Sequence, residues 1–176
     1  MRRCDLEHII RAAGVIASDT EIVIIGSQSL LAQFPDAPVE LRRSAEADVF
    51  PLNHVAATDR IDGSIGEGSS FHELFGYYAQ GVAENSATLP EGWRDRLIPI
   101  RNLNTNGVTG LCLDVHDLAI SKYVAWRPKD MEFTRLLAKF NMTQKSRLLE
   151  LVQCTPVPAS FAKLLAQRIT QTFRSS

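Results

Sequence analysis

Cysteine is scarce in this chain. Cys4, Cys112 and Cys154 are odd in number and far apart, and no Cys-x-x-Cys occurs. A disulfide framework and a cysteine-rich zinc site are therefore excluded as organising devices, and a reducing cytoplasm is the expected setting. Long apolar runs are missing as well. Nothing approaches the roughly 18 apolar residues of a membrane span, so no membrane association is expected. The opening Met1-Arg2-Arg3-Cys4-Asp5-Leu6-Glu7 is basic but meets acids at once, and no apolar signal-peptide core follows. Net charge is −1, so the chain as a whole does not advertise nucleic-acid binding. Internal repeats and low-complexity segments are also lacking.

What is present is ordinary globular material. The 176 residues are 45% hydrophobic and 22% charged, enough for one domain or a small domain with a helical extension. The charge is uneven. From Lys122 to Arg174 basic residues outnumber the acids Asp130, Glu132 and Glu150. A basic C-terminal third suits an anionic partner, but the solvated faces of surface helices are the simpler reading.

Apolar positions 6, 9, 10, 13 and 16 predict a helix over Asp5–Ala17. The β-branched run Glu21–Ile25 predicts a central strand, and Ser27–Phe34 a short helix stopped by Pro35 and Pro38. Ala47–Phe50 reads as a strand, residues 60–70 as a Gly/Ser-rich loop, and Phe71–Tyr78 as a half-buried aromatic stretch. Leu97–Ile100 and Thr109–Leu113 read as strands around the Asn106-Gly107 turn signal. Helices are expected at about 115–126, 130–140, 143–152 and 158–173, divided by Pro128, Pro156 and Pro158. The fold class expected is α/β (α+β): a small mixed sheet flanked by helices in residues 1–114, with a helical C-terminal segment, residues 115–176, packed on it.

Two features point to chemistry. Ile22-Val23-Ile24-Ile25 runs into Gly26-Ser27, a strand ending in a turn into a helix. Gly permits close backbone approach and Ser can donate to a phosphate. Glu46-Ala47-Asp48 then places two acids on one strand face, because residues i and i+2 point the same way. A phosphate turn beside two carboxylates able to hold Mg²⁺ is the minimum equipment for moving a nucleotidyl group. Either feature alone is weak, since Gly-Ser turns are often structural and exposed strand faces often carry acids.

Together these residues resemble the nucleotidyltransferase superfamily of the DNA-polymerase-beta type. Downstream, Asp117-Leu118-Ala119-Ile120-Ser121-Lys122 and Arg127-Pro128-Lys129-Asp130 resemble the lysine motif and the Arg-x-Lys-Asp motif of AbiEii-like and MenT-like nucleotidyltransferases, often the toxin half of bacterial toxin–antitoxin pairs. Residues 66–73 and 89–93 are similar to a bacterial subgroup of that class. The resemblance spans about residues 20 to 137. It implies that Gly26 and Ser27 hold a triphosphate, that Glu46 and Asp48 ligate Mg²⁺, and that Lys122 contacts phosphate. It further implies that Asp130 acts as a base or orienter and that Lys129 steadies the triphosphate or an acceptor. Asp114, at a strand end, is the candidate third metal acid, with a helix-cap role as its alternative. The implied partners are an NTP, an RNA or protein acceptor and a cognate antitoxin. Two departures stand out: a long gap from Ser27 to Glu46, and Glu where the first acid is usually Asp.

Plainer roles remain open. Lys122 could be solvated, Asp130 could cap a helix, and residues 66–70 could be a loop over a pocket or merely a loop. Tyr77, Tyr78 and Trp93 read as packing residues, and His8, His54, His72 and His116 lack ligand spacing. The function expected is Mg²⁺-dependent transfer of a nucleotide from an NTP to RNA or protein. The alternative is a non-catalytic module of the same fold that binds nucleotide, RNA or a partner protein.

Overall fold

The computed structural model describes residues 1–174 and divides the chain into two compact units. Residues 1–86 and 97–113 form the first, and residues 87–96 and 114–176 group as the second. The mixed α/β architecture is the one expected. The segment 87–96 groups with the helices rather than with the sheet.

The first unit is built on a five-stranded sheet of order β3-β2-β1-β5-β4. Strand β1 (Glu21–Ile24) lies at its centre. It runs antiparallel to β2 (Glu46–Pro51) and parallel to β5 (Thr109–Cys112). Strand β3 (Tyr78–Gly81) joins β2 in parallel, and β4 (Ile98–Ile100) joins β5 antiparallel. Helix α1 (Arg3–Ala17) buries Leu6, Ile9, Ile10, Ala13 and Ala17 in a core shared with Ile22, Ile24, Ala47, Val49 and Ala79. Ala47 and Val49 thus point into the core, so alternation sends Glu46 and Asp48 to the opposite face of β2. Gly110 lets α1 approach, since a methyl there would overlap the side chain of Ile10.

One expectation is corrected here. Residues 60–65 are not loop: helix α2 (Thr58–Ile65) buries Ile61 and Ile65, one turn apart, in the same core. Its Gly63 faces open space and costs only about 1 kcal/mol in propensity. The loop shrinks to residues 66–69, where the Ser69 hydroxyl caps α3 (Ser70–Phe75) by accepting from the His72 N–H at 3.2 Å. Strand β3 then follows in a stretch that aromatic content alone left unassigned. The β4–β5 connection does use Asn106 and Gly107, both at positive φ (48° and 85°), after a 3₁₀ turn at Leu103–Thr105. The short helix after β1 is also 3₁₀, over Ser27–Ala32.

The second unit holds α4 (Val115–Ala125), α5 (Pro128–Lys139), α6 (Lys145–Gln153) and α7 (Ala159–Thr172). Pro128 opens α5 and Pro158 precedes α7, where a missing N–H costs nothing. Helix α4 packs against the other three, with Leu118, Ile120 and Tyr123 buried. The segment 87–96 is pinned by Arg96. Its guanidinium donates to both Asp117 carboxylate oxygens at 2.8 Å and to the Glu91 carbonyl at 3.0 Å. The Glu91 N–H donates in turn to the Cys154 carbonyl at 2.8 Å. No helix among the described residues is long and apolar enough to cross a membrane.

Candidate active site

The antiparallel register of β1 and β2 decides what faces the Gly-Ser turn. Ile24 pairs with Val49, and the Ile25 N–H donates to the Asp48 carbonyl at 3.1 Å. The next residue, Gly26, is therefore laid beside Asp48. A Cβ added at Gly26 would overlap the Asp48 carboxylate. Gly26 is buried with an extended backbone (φ −85°, ψ −175°), so close approach, not a left-handed conformation, is what calls for glycine. Ser27 follows, partly exposed, and its hydroxyl accepts from Gln28 Nε2 at 3.4 Å. Gln28 and Ser29 are fully buried, and the Ser29 hydroxyl has no hydrogen-bond partner among the described residues.

Glu46 lies two residues back on the face that carries Asp48. Its backbone register partner is Tyr78 on β3, whose phenol donates to Glu46 Oε2 at 3.1 Å. Burial raises the Tyr78 pKa most, and the charge and hydrogen bond of Glu46 add to it, with smaller contributions from the Glu67 and Asp48 charges. The phenol is pushed up to about 12, so it remains a donor at neutral pH. The His72 ring lies 4.6 Å from the Tyr78 ring, and His72 Nδ1 accepts from the Gly68 N–H at 3.1 Å. Glycines and serines of the 66–69 turn thus hold a histidine against the tyrosine that holds Glu46. Tyr78 is not legible as a partner of Glu46, because the parallel β2–β3 register that brings the two together has no local sequence signal.

The other predicted residues belong to the helical unit. Asp114 caps α4: its Oδ1 accepts from the His116 N–H at 2.8 Å and lies 3.1 Å from His116 Nδ1. Lys122 and Asp130 are brought together, with Lys122 Nζ 3.7 Å from Asp130 Oδ1. Asp130 is buried and also accepts from Arg127 Nε at 2.6 Å and from the Arg127 N–H at 3.1 Å. Burial opposes its charge, but the Arg127 hydrogen bonds and the Lys122 charge outweigh that and hold its pKa below the usual carboxylate value. Such a carboxylate is a weak base and a good helix cap. Lys129 is exposed. Among the described residues, no three His, Cys, Asp or Glu side chains form a group that could hold a metal ion.

The order strand, Gly-Ser turn, strand with paired acids is the arrangement that the sequence resemblance implies. The chain belongs to a family described as nucleotidyltransferase of unknown function (DUF6036), whose sequence model matches residues 5–152. No curated protein and no solved structure matches the chain.

Proposed function

We propose that the chain transfers a nucleotide from an NTP to an acceptor hydroxyl with the help of Mg²⁺, using Gly26, Ser27, Glu46 and Asp48 of the first unit. The observation that carries this reading is the packing of the Asp48 carboxylate against Gly26, with Glu46 on the same face of β2. The donor set fits the ion. Mg²⁺ takes oxygen ligands and is usually held by one or two carboxylates plus substrate phosphates, which a Glu–Asp pair supplies. Bound there, the metal would supply charge neutralisation at the reacting phosphate oxygens.

The chain's own contributions follow from its geometry. Gly26 leaves the room beside the turn that the Asp48 carboxylate occupies. Ser27 offers a hydroxyl donor to a phosphate oxygen. Tyr78, protonated at neutral pH, donates to Glu46 without bringing a charge of its own. The acceptor oxygen forms a bond to the α-phosphorus, the α–β bridging bond breaks, pyrophosphate leaves, and the acceptor proton passes to solvent. Positioning and charge are most of what such a reaction asks of a protein.

The finer resemblance, to the AbiEii-like and MenT-like enzymes, makes RNA or protein the acceptor and an antitoxin the partner. The Lys122 and Arg127–Asp130 motifs support that reading. Incubation with each α-³²P NTP, Mg²⁺, cell RNA and lysate tests it. Labelled RNA or protein is expected, and Asp48→Asn should reduce labelling by two decades or more, about 3 kcal/mol of barrier, with the fold unchanged. Equal labelling by the variant would remove Asp48 from the chemistry. No labelling with any NTP would favour a non-catalytic module of the same fold.

A further inference from the structure

We infer that Tyr78 is the positioning residue for Glu46, fixing a carboxylate that is one methylene longer, and so less closely placed by its backbone, than that of Asp48. The inference rests on the reading of Glu46 as a metal carboxylate. Glu carries one more rotatable bond than Asp, so its backbone alone fixes its oxygens less closely. Mg²⁺ demands short bonds in near-octahedral order, and a wandering carboxylate would weaken the site. Asp48 needs no such help, because its carboxylate is already packed against Gly26.

Several observations converge on Tyr78. It is the direct register partner of Glu46, so the two side chains leave the sheet on the same face. Its hydroxyl meets one Glu46 oxygen, Oε2, at 3.1 Å. The second oxygen, Oε1, stays available as a ligand. The ring itself is held. Tyr78 is 9% exposed, its N–H donates to the Ala45 carbonyl at 2.9 Å, and the His72 ring lies against it. The donor is neutral, so it orients the carboxylate without cancelling its charge as an arginine would. Groups of this kind, one step behind a metal ligand, typically set affinity by ten- to a hundredfold.

Binding of Mn²⁺ alone, followed through the paramagnetic resonance signal of the free ion, tests this without any turnover. The wild-type chain should bind Mn²⁺, and Glu46→Gln and Asp48→Asn should each abolish or greatly weaken binding. Tyr78→Phe, which keeps the ring and removes only the hydroxyl, should weaken Mn²⁺ affinity roughly ten- to a hundredfold and lower the thermal midpoint by only a few degrees. In a Glu46→Asp background the shortened carboxylate no longer reaches the phenol, so Tyr78→Phe should then change affinity little. Unchanged affinity in Tyr78→Phe, alongside a loss in Glu46→Gln, would overturn the role of Tyr78 and leave the metal reading standing. An equal Tyr78→Phe loss in both backgrounds would also overturn it, since the effect would then not pass through Glu46. No Mn²⁺ binding by the wild type, or none lost in Glu46→Gln, would overturn the inference, and the labelling assay with NTP then decides the metal reading separately.

Discussion

Glu46 in the sheet unit and Asp117 in the helical unit are both carboxylates with a well-placed hydrogen-bond donor, yet the donors differ in kind. Asp117 is fully buried and meets the Arg96 guanidinium through two 2.8 Å bonds. Glu46 is only partly buried and meets a neutral phenol. A bidentate guanidinium satisfies and neutralises its carboxylate, which suits a structural tie. A phenol orients the carboxylate and leaves the charge for something else. Asp130 falls on the structural side, with Arg127 and Lys122 both beside it. On the proposed reading, charged donors tie the structural acids Asp117 and Asp130, while the neutral phenol leaves the Glu46 charge for Mg²⁺.

The largest effect expected from that division is on stability. Arg96→Met would leave the Asp117 charge buried without its guanidinium partner. Breaking a buried pair from one side typically costs about 3–5 kcal/mol. Chemical denaturation should show that loss, while Arg96→Met paired with Asp117→Leu should recover much of it. By the same division Tyr78→Phe should cost less stability, because it removes a single hydrogen bond from a neutral donor to a part-exposed carboxylate, worth about 1.5 kcal/mol. A large stability loss in Tyr78→Phe and a small one in Arg96→Met would reverse the assignment.

Gly26→Ala sharpens the comparison at intermediate size. The added methyl would displace the Asp48 carboxylate or move the turn. Overpacking of this kind costs about 1–3 kcal/mol, and labelling from an NTP should fall at least tenfold, since a displaced ligand costs catalysis directly. Ser27→Ala should leave stability nearly intact, because Ser27 is partly exposed. If Gly26→Ala were as active and as stable as wild type, Asp48 would have room to spare and its packing against the turn would have no consequence.

Much of this was legible in the residues, for identifiable reasons. Strands β1 and β2 announce themselves through a β-branched run and through acids two apart, and the helices of the second unit through their prolines. The Gly26–Asp48 contact follows once those strands are neighbours. Helix α2 was hidden because Gly63 and Ser64 look like loop, and only tertiary burial of Ile61 and Ile65 overrides that signal. Strand β3 was hidden because Tyr78-Ala79-Gln80-Gly81 lacks an apolar alternation. Without β3 there is no register to bring Tyr78 to Glu46. Asp117 was legible as an acid in the first turn of a helix, but its partner Arg96 lies in a segment with no periodicity of its own.

The smallest expected effect concerns acid, and it compares His8 with the depressed carboxylates. His8 sits on α1 among Phe71, Phe75 and Tyr77, with its Nδ1 2.9 Å from the Tyr77 hydroxyl. Burial lowers its pKa most, the Arg11 charge lowers it further, and Asp5 opposes both. A base whose folded pKa lies below its unfolded value binds more protons when unfolded. Stability is then fully present above the unfolded pKa, about 6.5, and declines as pH falls through the folded one. Asp5, Glu7, Asp19 and Asp130 carry lowered pKa values, each because hydrogen-bond donors outweigh the burial that opposes their charge. Their contribution is present above about pH 4 and is lost only as pH falls through the lower folded values. Denaturation curves taken from pH 7.5 to 3 should therefore show a shallow decline beginning near pH 6.5 and a steeper one below about 4. His8→Phe keeps an aromatic ring in the cluster and removes the titration, so it should flatten the first decline and leave the second. If the first decline survives in His8→Phe, the cluster around His8 does not set the response to mild acid.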